Sequence, residues 1–288
     1  MADIVFIGLG HMGSPMAAKL IESSHNVEIF DTNPAAYSHF DSFNCHIIDD
    51  LSVVDFKKKI VMSMLPNDEA ALKVFSSANY IESIDSSTIN VSMSTLSSEM
   101  VSQLQEIHYT KGAVFINCPV FGRPETVRAG KLFGILSCKP ELKHQIENIL
   151  SSFCERVFYF GSKNESTVLV KLAANFLVIS AIEAISESCE FLEKNGLDSN
   201  VFVDMITNSL FDCTVYHYHS KNIANRVYFP CGFSMDLGLK DIRLFNDECD
   251  SLNIKLPFSK VIETRIKEGV DKGRSEYDWA AIRESSYL

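Results

Sequence analysis

Lys171 and Asn175 stand four residues apart in an otherwise apolar run made of Val168, Leu169, Val170, Leu172, Ala173, Ala174, Phe176, Leu177, Val178 and Ile179. At helical pitch the two share one face, on a helix whose neighbours imply burial nearly all round. A lysine is rarely left in such surroundings without a partner or a task. The bland alternative is a stem laid along the surface with its head in water. If the lysine is enclosed, desolvation disfavours its ammonium and brings proton exchange within reach of neutral pH. Asn175 carries both an amide donor and an acceptor, so it can orient the same oxygen or a carboxylate. Such a pair suits moving a proton on or off a hydroxyl oxygen.

A second group of residues lies near the start of the chain. Ile4-Val5-Phe6-Ile7 runs directly into Gly8-Leu9-Gly10-His11-Met12-Gly13, and Val27-Glu28-Ile29-Phe30 ends in Asp31, eighteen positions after Gly13. Gly8 permits a tight strand-to-helix turn, Gly10 lets backbone approach a pyrophosphate, and Gly13 lets the helix pack on the sheet. The helix N-terminus then offers unpaired N–H groups to the phosphates without any basic side chain. His11 contributes its backbone in this arrangement. A carboxylate at the end of the second strand accepts from both ribose hydroxyls and repels a 2′-phosphate. With no arginine at Thr32 or Asn33, the cofactor expected is NAD rather than NADP.

These residues need an α/β scaffold. Short β-rich runs at 60–64, 84–85, 113–116, 134–136 and 157–160 alternate with helical stretches, which predicts a doubly wound Rossmann-type sheet over residues 1–161. Asn33-Pro34 supplies a cap and a first-turn proline for a helix after the second strand. Ser162-Lys163-Asn164-Glu165 has the capping-box form and opens a helical pattern over 163–194, stopped by Asn195-Gly196. Thirty residues reach about 45 Å, enough for an interdomain helix presenting residues to both sides. Beyond it the periodicity is helical only, so 162–288 reads as an all-α domain for substrate and self-association.

At 288 residues the chain accommodates two cores. Its formal net charge of −11 argues against nucleic acid, whose partners cluster Lys and Arg. No apolar run is read as membrane-spanning, and the first strand begins too early for a leader peptide, so the cytoplasm is expected. The eight cysteines are scattered singly, without metal-ligand spacing, and read as reduced, mostly buried hydrophobes; no metal site is expected.

The chain resembles the β-hydroxyacid dehydrogenases, the family of 3-hydroxyisobutyrate dehydrogenase, which is related to 6-phosphogluconate dehydrogenase. The resemblance runs through Gly8-Leu9-Gly10-His11-Met12-Gly13-Ser14-Pro15-Met16-Ala17, Met64-Leu65-Pro66, Asp85-Ser86-Ser87-Thr88-Ile89, Pro119-Val120, Ala129-Gly130-Lys131-Leu132, Lys171 to Asn175, and Leu239-Lys240-Asp241. It implies that Leu65, Pro66 and Thr88 line the cofactor and that Lys240 sits beside it. It also implies that Lys171 is the acid/base and that Asn175 contacts substrate. Without the family, Leu65-Pro66 could simply end a strand, Thr88 cap a turn, and Lys240 pair with Asp236. The long apolar helix exceeds what one small domain covers, so self-association is expected, and the resemblance implies a homodimer or homotetramer.

Where the family's substrate loop usually reads Asp-Ala-Pro-Val-Ser-Gly-Gly, this chain has Asn117-Cys118-Pro119-Val120-Phe121-Gly122-Arg123. Phe121 replaces a hydroxyl. Arg123 replaces a glycine whose amide approaches the substrate carboxylate; its guanidinium either binds an anion by another route or pairs with Glu125. Phe121, Gly122 and Arg123, with Lys171 and Asn175, are therefore the candidate substrate contacts. The activity expected is NAD-dependent hydride transfer to or from a small β-hydroxy acid or its semialdehyde, with closure between the two domains excluding water. Alternatives are reduction of another small carbonyl (succinic semialdehyde, glyoxylate, tartronate semialdehyde) or an imine, or a catalytically silent cofactor-bound scaffold. The lysine weighs against the imine route, and the chain's length against a sugar-phosphate decarboxylating enzyme.

Overall fold

A computed structural model describes residues 1–285. They divide into two compact units, Met1–Lys171 and Leu172–Leu288, the second described as far as residue 285.

The first unit is built on a parallel six-stranded sheet in the order β3-β2-β1-β4-β5-β6. Its strands are β1 (Asp3–Ile7), β2 (Asn26–Phe30), β3 (His46–Ile47), β4 (Ile60–Ser63), β5 (Ile89–Ser92) and β6 (Val114–Asn117). The register pairs Ile4 with Ile60 and Ile7 with Ser63, then Ile60 with Ile89 and Ser63 with Ser92, so all carboxyl ends open on one edge. Helices α1 (Gly13–Glu22), α2 (Asp68–Phe75), α3 (Ala78–Ser83) and α4 (Ser98–Tyr109) connect the strands. The order is that of a doubly wound dinucleotide-binding sheet. Buried apolar residues on its strands, among them Ile4, Phe6, Ile29, Met62 and Val91, meet Met16, Ala17 and Leu20 of α1 in one core. After Asn33, whose side chain accepts from the Ala35 N–H at 3.1 Å, the chain forms a 3-10 helix, Pro34–Phe40.

The expected strand at 84–85 is not there. Asp85 instead makes a turn, its carboxylate accepting from the Ser87 N–H at 2.8 Å, and the strand follows at β5. Buried Asn90 and Ser92 interrupt the apolar signal of β5, whereas the turn holds the conspicuous Ile-Asp pair.

A smaller sheet follows, made of β7 (Val120–Phe121) antiparallel to β8 (Leu132–Leu136), itself parallel to β9 (Cys154–Tyr159), with α5 (Pro124–Arg128) and α6 (Pro140–Leu150) between. Helix α7 (Glu165–Lys194) then carries the chain from the first unit into the second. Glu165, read as part of a capping box, accepts from Ser102 Oγ at 3.4 Å. Asn164 does the anchoring: its Oδ1 accepts from the Asn117 N–H at 3.2 Å and its Nδ2 donates to the Phe115 carbonyl at 2.8 Å.

The second unit comprises the remainder of α7 with α8 (Ser199–Thr207), α9 (Thr214–Asn225), α10 (Met235–Ser251) and α11 (Pro257–Asp271). Ile179, Ile182, Ile185 and Cys189 of α7 pack with Ile242, Ile262, Ile266 and Trp279.

Two expectations about α7 need correction. It does reach membrane-spanning length and hydropathy, 30 residues that include an 18-residue stretch with a mean hydropathy of 2.0; its core residues and the buried Glu183–Arg265 ion pair, 2.5 Å, fit the interior of a helical domain. Nor is it buried all round, for Leu177 is 69% exposed and Phe191 68%.

Candidate active site

In the first unit, the carboxyl edge of the sheet gathers most of the expected cofactor residues. Gly8, at φ +96°, donates its N–H to the Phe30 carbonyl at 2.9 Å, and a Cβ there would lie 2.4 Å from the Met64 carbonyl oxygen. A Cβ on Gly13 would lie 1.9 Å from the Gly8 carbonyl oxygen. Gly8 and Gly13 are thus required by the crossing of β1, β4 and α1. Gly10 is different: it is exposed, and a Cβ there would meet nothing within 4 Å. A glycine without internal need, beside a helix N-terminus without a side-chain cap, fits a loop that accepts a phosphate. His11 is exposed, Met12 precedes α1, and Leu9 places its side chain in the core.

The Leu9 N–H has its partner within the protein. It donates to Asp31 Oδ2 at 2.6 Å, and the Asn33 N–H donates to Asp31 Oδ1 at 2.7 Å. Asp31 therefore ties the glycine loop to the end of β2.

On the neighbouring strand, Met64 donates its N–H to the Ile7 carbonyl at 3.0 Å, and the Leu65 N–H donates to Ser94 Oγ at 2.7 Å. Leu65 and Pro66 accordingly stand beside the glycine loop. Thr88 does not. It precedes β5 at the amino edge, fully buried, accepting from the Asp85 N–H at 3.2 Å and donating to the Phe56 carbonyl at 3.0 Å. The strand separates it from the loop edge by about 13 Å. The residue in the expected position is Thr95, just past Ser94 on the carboxyl side of β5. Two Ser-Thr dipeptides flank β5, Ser87-Thr88 before it and Ser94-Thr95 after it, seven residues apart. The signal that separates them is order along the chain: in a parallel sheet a ligand residue follows its strand.

Lys171, at 9% exposure, lies at the end of the same unit. The start of α7 is fixed to β6 through Asn164 and through Asn117 Nδ2, which donates to Thr167 Oγ1 at 2.9 Å. One turn further on, the Lys171 ammonium donates to the Val120 carbonyl at 2.9 Å and sits 4.1 Å from the centroid of the Phe121 ring. The lysine is thus enclosed rather than laid along the surface, and it faces the loop that carries the substrate candidates. Gly122, φ +138°, is held close by Leu132 and Thr126, while Arg123 ends its strand-side loop as the N-cap of α5, its N–H donating to Thr126 Oγ1 at 2.5 Å.

In the second unit, Asn175 Nδ2 donates to Asp241 Oδ2 at 2.6 Å, and Lys240 Nζ stands 3.3 Å from Asp241 Oδ1. Asp241, 4% exposed, is a residue the sequence reading passed over; it fixes the Asn175 amide so that Oδ1 and one N–H remain for other partners. The ion pair seen for Lys240 is with its chain neighbour Asp241. A cavity of about 350 Å³ beside β3, lined by Glu28, Asp49, Asp50 and Lys59 among others, contains none of the expected site residues.

A doubly wound sheet with a glycine loop, an acidic β2 terminus and an enclosed lysine defines an NAD(P)-dependent oxidoreductase acting on hydroxyl groups, and comparison with known proteins agrees. Residues 3–161 match the NAD-binding domain of 6-phosphogluconate dehydrogenase, and 166–285 match the NAD-binding region of NADP-dependent 3-hydroxyisobutyrate dehydrogenase. An uncharacterized oxidoreductase of Bacillus subtilis, YfjR, is 30% identical over 97% of this chain and 98% of its own. The mitochondrial 3-hydroxyisobutyrate dehydrogenase of Drosophila melanogaster is 26% identical, covering 97% of this chain and 88% of its own. A solved structure of Mycobacterium tuberculosis 3-hydroxyisobutyrate dehydrogenase with L-serine superposes with a TM-score of 0.85 at 22% identity, over 99% of this chain and 98% of that one. The chain belongs to the β-hydroxyacid dehydrogenase family.

Proposed function

We propose that this enzyme interconverts a small β-hydroxy acid and its semialdehyde with NAD, using Lys171 as the acid/base. The observation that carries the reading is the enclosed Lys171 ammonium directed at Val120 and Phe121 of the substrate loop. The bound dinucleotide supplies the hydride acceptor or donor. As the neutral amine, Lys171 Nζ takes the hydroxyl proton when the alcohol is oxidised; as the ammonium it returns that proton in reduction. Asn175, its amide fixed by Asp241, is assigned to a substrate oxygen, and Lys240 to the cofactor. Leu65, Pro66 and Thr95 are assigned to the cofactor at the edge they share with the glycine loop.

Phe121 and Arg123 favour a second reading within the same class. With no serine hydroxyl in the loop and a guanidinium in place of a glycine, the anionic end of the substrate is taken by Arg123, and the substrate is a different small semialdehyde. Self-association as a dimer or tetramer is supported by the exposed apolar side chains of α7 and α8, including Leu177, Phe191, Val201 and Met205.

A turnover screen of hydroxy acids and semialdehydes, with NAD and NADP in parallel, tests these readings together. On the substrate it identifies, Lys171→Ala should lose about 10²- to 10⁴-fold in kcat while still binding dinucleotide. Wild-type turnover by that variant would remove Lys171 from the mechanism.

A further inference from the structure

The preference for NAD proposed above rests on Asp31, and the structure shows what holds that carboxylate still. A carboxylate has about four lone-pair positions. Two are taken, Oδ2 by the Leu9 N–H and Oδ1 by the Asn33 N–H, at 2.6 and 2.7 Å. The remaining capacity is one position on each oxygen, which matches two adjacent hydroxyl donors. A phosphate ester offers no donor in exchange when ionised and adds a like charge.

This selectivity holds only if the carboxylate cannot turn aside. Rotation of the side chain would break both amide bonds, and withdrawal of the main chain is opposed by one residue. Tyr37 Oη donates to the Asp31 carbonyl at 2.7 Å and accepts from the Asp31 N–H at 2.9 Å. Its ring packs against the core of the first unit, so the hydroxyl is held from behind. A single phenol therefore satisfies both main-chain groups of the residue at the end of β2, where the ladder to β3 has already ended at Ile29.

We infer that Tyr37 is the positioning residue that makes this enzyme discriminate between NAD and NADP, acting through Asp31 without contacting the reacting atoms. The inference rests on the NAD reading, and the two can fail separately.

The test is calorimetric titration of the full-length protein with NAD⁺ and with NADP⁺, for wild type, Tyr37→Phe, Asp31→Asn and the double variant. Tyr37→Phe keeps the ring and removes only the hydroxyl. It should weaken NAD⁺ about five- to tenfold, the effect of one well-placed hydrogen bond or slightly more, and change NADP⁺ less, so that the ratio of the two dissociation constants falls. In the Asp31→Asn background the same change should leave that ratio where Asp31→Asn alone puts it. Equal weakening of both cofactors, or an unchanged ratio, would assign Tyr37 a purely structural role and overturn the inference while leaving NAD preference intact. Wild-type protein that binds NADP⁺ as tightly as NAD⁺ would overturn the NAD reading and the inference with it.

Discussion

The Lys171 ammonium and the Phe121 ring lie face to face, 4.1 Å from nitrogen to ring centroid, while the same ammonium donates to the carbonyl of the preceding residue, Val120. The aromatic residue that departs from the family's loop pattern is therefore the one in contact with the proposed acid/base. Such a contact is worth about 0.5–1 kcal/mol when exposed and about 2 when desolvated. Phe121→Leu keeps apolar volume and removes the ring face. It should lower kcat/KM by roughly two- to tenfold with the dissociation constant for the dinucleotide unchanged, read by steady-state kinetics beside a binding titration.

The two Ser-Thr dipeptides that flank β5 separate cleanly by experiment. Thr95→Val should weaken dinucleotide binding several-fold. Thr88→Val should instead lower stability, since its hydroxyl joins the Asp85 amide to the Phe56 carbonyl in the interior. Losing those bonds costs about 1–3 kcal/mol, measured by denaturant unfolding, with cofactor affinity retained.

Most of the first unit was legible because its chemistry and its geometry coincide in sequence. Gly8, Gly13 and Asp31 appear in order, and the backbone crossings at Met64 and Gly8 show why no side chain fits at either glycine. Lys171 was legible for another reason, a charge among apolar neighbours. What escaped was long-range. Asp241 sits 66 residues from Asn175, and no local pattern connects them. The strand β5 was hidden because two of its four side chains are buried polar groups, Asn90 and Ser92, and with the strand misplaced Thr88 took the place of Thr95. The exposed stripe of α7 was hidden too, because Leu177 and Phe191 look like core residues until the partners on each face are known.

His108 gives a pH-dependent stability with a definite sign. It is fully buried, its Nδ1 paired with the Leu104 carbonyl at 2.7 Å and its Nε2 with Tyr80 Oη at 2.8 Å. Burial pushes its pKa down to about 4 from 6.5. Above 6.5 the ring is neutral in both folded and unfolded chains and contributes nothing to pH dependence. As the pH falls from 6.5 towards 4 the unfolded chain binds the proton first, so stability is lost across that window, by about 3 kcal/mol in all. Urea unfolding between pH 7 and 4 should show this slope, and His108→Gln, less stable at neutral pH, should show a shallower one.

The Glu183–Arg265 pair of the second unit makes the opposite pH prediction for its broken form. Glu183 is fully buried and Arg265 nearly so, 2.5 Å apart, and Arg265 also donates to the Ile282 carbonyl at 3.2 Å. Burial raises the Glu183 pKa even against the pull of Arg265, and neighbouring Glu187 adds to the rise. Arg265→Met leaves that carboxylate buried without its cation, which should cost about 3–5 kcal/mol at pH 7. Protonation relieves it: in the variant the folded chain takes up a proton at higher pH than the unfolded chain does, so the deficit relative to wild type should shrink as the pH is lowered. Adding Glu183→Leu removes the buried charge altogether and should recover most of the loss at neutral pH. A double variant as unstable as Arg265→Met alone would mean that packing around the guanidinium, rather than its charge, is what α7 and α11 depend on.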